Sequence, residues 1–248
     1  MFSLRRFYVS PGTLRARNIT LGPALAHRLG RVLRLKRGDR VVLFDGGPRE
    51  YEVQLTAVSA NAVTAVVVGE RAAPPEPATR VILYQALVRA NRFDLVLEKG
   101  TEVGVSRFVP LLTARGRLQN EHETSAARAE RWRRIVIEAA EQSGRGRVPT
   151  VEAPVTLEEA LSRAGGLLIL PWEGERLKGL TSYLRSLEER PREVGLFIGP
   201  EGGFEAEEAA MAKSAGAVVV TLGPRILRSE TAGIVAAALV LDALGEMG

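Results

Sequence analysis

The sequence predicts an α/β chain in two parts: a small β-rich segment with one helix, then a larger, mostly parallel α/β domain. Three observations predict it. Short runs of strand periodicity crowd residues 1–70. A stiff proline-rich stretch, Ala72-Ala73-Pro74-Pro75-Glu76-Pro77, follows. From residue 80 onward, apolar strands alternate with helical segments, the pattern of a parallel sheet. The expected division is therefore 1–72, a linker over 73–79, and 80–248.

Arg5-Arg6-Phe7-Tyr8-Val9 reads as a short strand, with Phe7 and Tyr8 in core roles rather than base stacking. Residues 23–34 read as a helix: Pro23 suits a first turn, and Leu25, Leu29, Val32 and Leu33 make one apolar face. Val41-Val42-Leu43-Phe44 is a buried strand between Lys36-Arg37-Gly38-Asp39-Arg40 and Asp45-Gly46-Gly47-Pro48, both turn signals. Tyr51, Val53, Leu55 and Ala57 alternate with polar residues, and 62–68 is a β-branched run. Together these suggest a small β-barrel. Beyond the linker, strands are expected at 80–86, 107–112, 167–171, 194–199 and 217–222. Helices are expected at 91–103, 124–142, 176–189, 205–214 and 230–244.

Composition excludes several chemistries. The chain has 248 residues and no cysteine, so disulfides, thiolate metal sites and a cysteine nucleophile are ruled out. His27 and His122 are its two histidines, too few for a multi-histidine metal site, and no metal is expected. His27 reads as a structural or surface residue and His122 as loop. No apolar run is long enough to span a membrane, and a cytoplasmic protein is expected. The net charge of +5 suits a polyanion. Residues 1–40 hold ten lysines or arginines against one acid, Asp39. Arg5, Arg6, Arg15, Arg17, Arg28, Arg31, Arg34 and Lys36 are candidate RNA contacts. Arg128, Arg131, Arg134, Arg145 and Arg147 form a second candidate region.

Ligands of parallel sheets sit beyond the carboxyl ends of strands, and three such ends stand out. One is Leu170-Pro171-Trp172-Glu173. The next is Gly199-Pro200-Glu201-Gly202-Gly203-Phe204, where glycines permit positive φ and close backbone approach. Glu205, Glu207 and Glu208 open the following helix, which argues against a phosphate there. The last is Leu222-Gly223-Pro224-Arg225-Ile226-Leu227-Arg228-Ser229-Glu230-Thr231-Ala232, running into a helix apolar on nearly all sides. There is no Walker A loop, and no GxGxxG joins a strand to a helix.

The order Arg5-Arg6-Phe7-Tyr8-Val9, Glu98-Lys99-Gly100-Thr101-Glu102-Val103-Gly104-Val105, Glu138-Ala139-Ala140-Glu141-Gln142-Ser143, Gly199 to Phe204, and Leu222 to Ala232 resembles the 16S rRNA (uracil-1498-N3)-methyltransferases over nearly the whole chain. The resemblance implies a SPOUT-type catalytic domain with a trefoil knot, a PUA-like N-terminal barrel and a homodimer. It implies S-adenosyl-L-methionine as cofactor and 16S ribosomal RNA or the small ribosomal subunit as partner. It carries cofactor binding onto Leu170, Pro171, Gly199, Pro200, Glu201, Gly202, Gly203, Leu222, Gly223, Ile226, Leu227 and Arg228. Arg228, with Arg6 as second candidate, would stabilise charge on the uracil carbonyls. The proton acceptor stays open between Glu201 and Glu230.

Arg89 stands where the family often has lysine. Glu205 stands where serine or threonine is usual, which removes a capping hydroxyl. Two other functions fit the same residues: methylation of a ribose 2′-hydroxyl, and a non-catalytic RNA-binding assembly factor.

Overall fold

A computed structural model describes residues 4–116 and 125–247. His122 and residue 124 therefore lie outside the described residues. The chain forms two compact units. One holds the chain up to Glu76 together with Ala140–Val148; the other holds the rest. The segment 140–148, expected with the second part, thus belongs to the first unit.

In the first unit, strands β1 (Arg6–Tyr8), β2 (Asn18–Leu21), β3 (Arg40–Phe44), β4 (Arg49–Val58) and β5 (Val63–Ala72) form a sheet in the order β1-β3-β4-β5-β2. β1 pairs parallel with β3, and the remaining pairs are antiparallel. β1 and β2 do not pair with each other among the described residues, so this is a half-barrel rather than a closed barrel. Its core gathers Phe7, Ile19, Leu21, Leu29, Val41, Leu43, Val53, Leu55 and Val63, the inward set of a period-two pattern.

Helix α1 (Pro23–His27) passes into a π-helical turn over Arg28–Val32. The wider turn carries Leu33 N–H to Arg28 O at 3.0 Å. It rotates Val32 off the expected apolar face, leaving it exposed while Leu29 stays buried.

Arg6 is withdrawn from solvent. Its side chain is 8% exposed, and it donates to Glu50 from Nε at 3.0 Å and from Nη2 at 2.7 Å. It also reaches the main-chain oxygen of Arg145 at 3.0 Å and lies 4.5 Å from the Phe44 ring centre. Arg71 takes the other oxygen of Glu50, which is 1% exposed. Glu141 likewise accepts the Tyr8 N–H at 2.9 Å and pairs with Arg28 at 2.6 Å. Arg145 pairs with Glu76.

In the second unit, β6 (Arg80–Ala86), β7 (Arg107–Leu112), β8 (Thr150–Val151), β9 (Val155–Thr156), β10 (Leu167–Pro171), β11 (Glu193–Ile198) and β12 (Val218–Val220) form one wholly parallel sheet. The order is β12-β10-β11-β6-β7-β8, with β9 also on β7. The helices are α2 (Ala90–Val103), α3 (Ser125–Ser143), α4 (Leu157–Arg163), α5 (Leu180–Arg185), α6 (Ala206–Ser214) and α7 (Ser229–Ala243); α3 runs on into the first unit. Alternation along β6 sorts the layers. Ile82 and Tyr84 pack with Leu157 and Leu161 of α4 and Ala209 and Ala212 of α6. Leu83 and Gln85 approach Gly233 of α7, which packs on α2, α5, β6 and β11.

Helix α5 is shorter than the expected 176–189. One oxygen of Glu175 accepts the N–H groups of Arg176, Leu177 and Lys178 at 2.9, 2.7 and 3.1 Å. That ties the segment as a loop and leaves Leu177 96% exposed. Helix α6 keeps a cap without a hydroxyl, because the Glu205 N–H donates to Glu208 at 2.9 Å.

Replacing Glu50 by Ala would strand the Arg6 guanidinium without its counter-charge. The expected loss is about 3–5 kcal/mol, measured as a lower denaturation midpoint in urea.

Candidate functional site

Strand β10 is hydrogen-bonded on both edges. Leu167, Leu168 and Ile169 pair with Val194, Gly195 and Leu196 of β11. Ile169, Leu170 and Pro171 pair with Val218, Val219 and Val220 of β12. All three strands run the same way, so their carboxyl ends lie side by side. The sequence-predicted loops after residues 171, 198 and 220 are thereby brought together.

The loop after β12 lines an open cleft of about 100 Å³ with Pro171, Trp172, Glu173, Arg176, Thr221, Leu222, Gly223, Pro224, Arg225, Ile226, Leu227 and Ala232. Gly223 has φ +109° and open space where a Cβ would stand. Among the described residues, Arg225, Ile226 and Leu227 make no backbone hydrogen bond, so their polar groups are open to a ligand. Ile226 is 89% exposed despite its apolar side chain. Opposite, the Thr221 N–H donates to Lys178 O at 2.8 Å and the Leu180 N–H to Thr221 O at 3.1 Å, which fixes the 172–179 wall to the end of β12.

The glycine loop 199–203 is held from several sides. Ser229 Oγ donates to Gly199 O and accepts from Gln85 Nε2 at 2.9 Å. Arg115 donates to Gly202 O at 2.8 Å and to Glu205 at 3.2 Å. Trp172 Nε1 reaches Phe204 O at 3.3 Å. Gly203 has φ +69°, and a Cβ there would run into the Glu173 carboxylate. Arg92 Nη1 donates to Glu201 at 3.0 Å, and Arg92 Nε lies 3.6 Å from Glu230. The acids at the start of α6 are occupied too, Glu208 accepting the Ala114 N–H at 3.0 Å. This helix end is filled by the chain itself.

Of the sequence-predicted residues, Pro171, Leu222, Gly223, Ile226 and Leu227 line the cleft, and Leu170 is buried behind it. Gly199, Pro200, Glu201, Gly202 and Gly203 form the adjoining loop. Arg228 is exposed at the N-cap of α7, and its side chain has no partner among the described residues. Glu230, by contrast, is buried, 6% exposed. Arg6 belongs to the first unit's buried pair with Glu50, which corrects its reading as a base-facing or RNA-facing cation. Arg28 and Arg145 are corrected likewise by their pairs with Glu141 and Glu76, and Arg131 by its pair with Asp94.

Arg5, Arg15, Arg17, Arg31, Arg34 and Lys36 are exposed without ion pairs among the described residues. Arg134 and Arg147 are exposed, and Arg128 leans on the Trp132 ring at 5.6 Å. Gln85, Arg92 and Arg115 went unread in the sequence. Only Gln85 left a signal, as the one polar residue between Val81 and Ala86.

Residues 74–241 match the model of an RNA methyltransferase domain, and residues 26–68 that of an RNA methyltransferase PUA domain. The chain belongs to the RNA methyltransferase family. Within it, the chain is 36% identical over 239 residues to the ribosomal RNA small subunit methyltransferase E of Synechocystis, covering 95% of this chain and 76% of that one. The enzyme of the same name from Bacillus subtilis is 29% identical over 215 residues, 85% of this chain and 84% of its own. The crystal structure of the Neisseria gonorrhoeae ribosomal RNA small subunit methyltransferase E, bound to S-adenosyl methionine, superposes with a TM-score of 0.88. It is 30% identical and covers 99% of this chain and all of that one.

Backbone N–H donation, led by Leu177 and then Lys178, holds the Glu175 carboxyl below its usual range. A depressed carboxyl stabilises the folded loop above the ordinary glutamate range and loses that contribution as pH falls through the folded value. Amide exchange at 176–178 is therefore expected to be slow near neutrality and to speed up, relative to the rest of the unit, on acidification. Glu175→Gln should remove this pH response.

Proposed function

We propose that this chain methylates N3 of a uracil in 16S ribosomal RNA of the small ribosomal subunit, with S-adenosyl-L-methionine as methyl donor. The observation that carries the reading is the row of three parallel strand ends, whose loops offer unpaired backbone groups and apolar surface in one cleft. Such a surface fits the adenosine and methionine parts of the cofactor. Leu170, Pro171, Gly199, Gly203, Leu222, Gly223, Ile226 and Leu227 would hold it, largely through the backbone. The likeness to the Neisseria enzyme bound to S-adenosyl methionine supports the same choice.

The cofactor supplies an electrophilic methyl group on a sulfonium. The protein must orient the uracil, take up the N3 proton and stabilise the charge spreading onto the flanking carbonyls. Arg228 is placed for the last task, being exposed beside the cleft and free of partners. It stays protonated, so it acts as a donor and not as the base. The proton acceptor is one of the two carboxylates that Arg92 holds, Glu201 or Glu230.

RNA binding falls to Arg5, Arg15, Arg17, Arg31, Arg34 and Lys36, with affinity that drops steeply with salt. The acids of the first unit leave these cations free: Glu50, Glu52, Glu70, Glu76 and Glu141 pair with other arginines. The PUA-type match supports the same assignment. The division into an RNA-binding part over 1–72, a linker over 73–79 and a catalytic part over 80–248 belongs to this reading.

Two further features follow from it. The C-terminal segment closes a SPOUT-type trefoil knot. In support, β12 joins the sheet beside β10 rather than β11, while α7 returns across β11 and β6. The working form is a homodimer. In support, Ile226 stands out into solvent, and Ile234, Val235 and Leu239 of α7 are only half-buried. An enzyme of ribosomal RNA acts in the cytoplasm, and no helix among the described residues is long and apolar enough to cross a membrane.

Mass spectrometry of nucleosides from 16S rRNA tests the reading. A strain lacking the protein should lose N3-methyluridine, and the wild-type gene should restore it. Arg228→Ala should slow methylation about 10²–10³-fold with an unchanged melting temperature. Loss of a 2′-O-methylated nucleoside instead, or no change, would overturn the reading.

A further inference from the structure

We infer that Arg92 is a positioning residue of the methyl-transfer centre, anchored on buried Glu230 so that it presents Glu201 as the acceptor of the uracil N3 proton. The inference rests on the methyl-transfer reading above and selects between the two carboxylates left open there.

The three residues come from three elements that meet along the carboxyl edge of the sheet. Arg92 sits in the first turn of α2, just past β6. Glu201 stands on the loop after β11, and β11 lies between β6 and β10 in the sheet. Glu230 is in the first turn of α7, whose start is fixed to the glycine loop through Ser229 and the Gly199 carbonyl.

Their surroundings differ in kind. The Glu230 side chain is 8% exposed, and its Oε2 has no hydrogen-bond partner among the described residues. Every atom of that oxygen's surroundings is protein, so an incoming base cannot reach it without rearrangement. Its Oε1 faces Arg92 Nε at 3.6 Å. A buried carboxylate with one cationic neighbour anchors that neighbour strongly, because neither charge can be left alone inside. The Glu201 side chain is 39% exposed. Arg92 occupies its Oε1 at 3.0 Å, while its Oε2 is uncommitted among the described residues. Glu201 thus offers an oriented carboxylate with one free oxygen on the loop that borders the cleft.

The step balances with these groups alone. The N3–H proton passes to Glu201 Oε2, and its bonding pair stays on N3. The new N3–C bond forms as the C–S bond breaks, with that electron pair going to sulfur. The positive charge of the sulfonium and the negative charge of Glu201 disappear together. Proton loss to water then restores the carboxylate.

The test measures kcat and the KM for S-adenosyl-L-methionine with 30S particles that lack the modification, scoring N3-methyluridine. Glu201→Gln should lower kcat about 10²–10⁴-fold. Arg92→Ala should lower it by up to about 10²-fold through misplacement of Glu201, with Arg92→Lys recovering part of the loss. Because Arg92 acts through Glu201, Arg92→Lys added to Glu201→Gln should cost nothing more. If Arg92→Ala fails to fold, Arg92→Ala with Glu230→Gln removes both charges and takes its place, with the same expected loss.

Wild-type kcat in Glu201→Gln, additive losses in the double variant, or an effect confined to KM would each overturn the inference while leaving the methyl-transfer reading intact. A wild-type protein that forms no N3-methyluridine would instead sink that reading itself.

Discussion

The double pairing of β10 is the constraint on which the site depends. A strand bonded on both edges to parallel neighbours cannot slip or turn without losing two ladders at once. It therefore fixes the ends of β11 and β12 against its own end. Three loops far apart in sequence become one rim. The glycines then matter for local reasons. Gly203 takes a left-handed φ against the Glu173 carboxylate, and Gly223 leaves its side of the cleft bare.

Around that rim the fold invests polar groups with care. Gln85, Ser229 and the Gly199 carbonyl form a chain that pins the start of α7 to the glycine loop from behind. Arg115 holds the same loop at Gly202, and Arg92 holds it at Glu201. A loop restrained at several points can present backbone donors and acceptors without reorganising when a ligand arrives, which is the condition for effective electrostatic catalysis. The first unit follows another logic. Its acids are consumed by one set of arginines, so a second set faces solvent uncompensated, as a polyanion-binding surface requires.

Much of this was legible in the sequence, and the exceptions have physical causes. The strands 80–86, 107–112 and 167–171 stand where their apolar runs put them, because buried parallel strands carry continuous hydrophobic signal. β2, β8, β9 and α4 went unread, being short or at the sheet's edge, where little apolar periodicity builds up. The helix expected over 176–189 shrank to Leu180–Arg185 because Glu175 folds back on its own backbone, a contact that periodicity cannot reveal. Arg6 misled for a different reason. Its partner Glu50 lies 44 residues away, and nothing in a run of cations tells a buried ion pair from a surface charge. The strand-end loops were found from their glycines. Arg92 and Arg115 emerged only once the sheet order set their elements beside the glycine loop.

The central claim is that the three strand-end loops together receive the methyl donor. Hydrogen–deuterium exchange with and without S-adenosyl-L-methionine tests it most directly. Protection is expected at 172–173, 201–204 and 222–228 on cofactor addition, with the half-barrel unchanged. Protection elsewhere with these three segments unaffected would contradict the account.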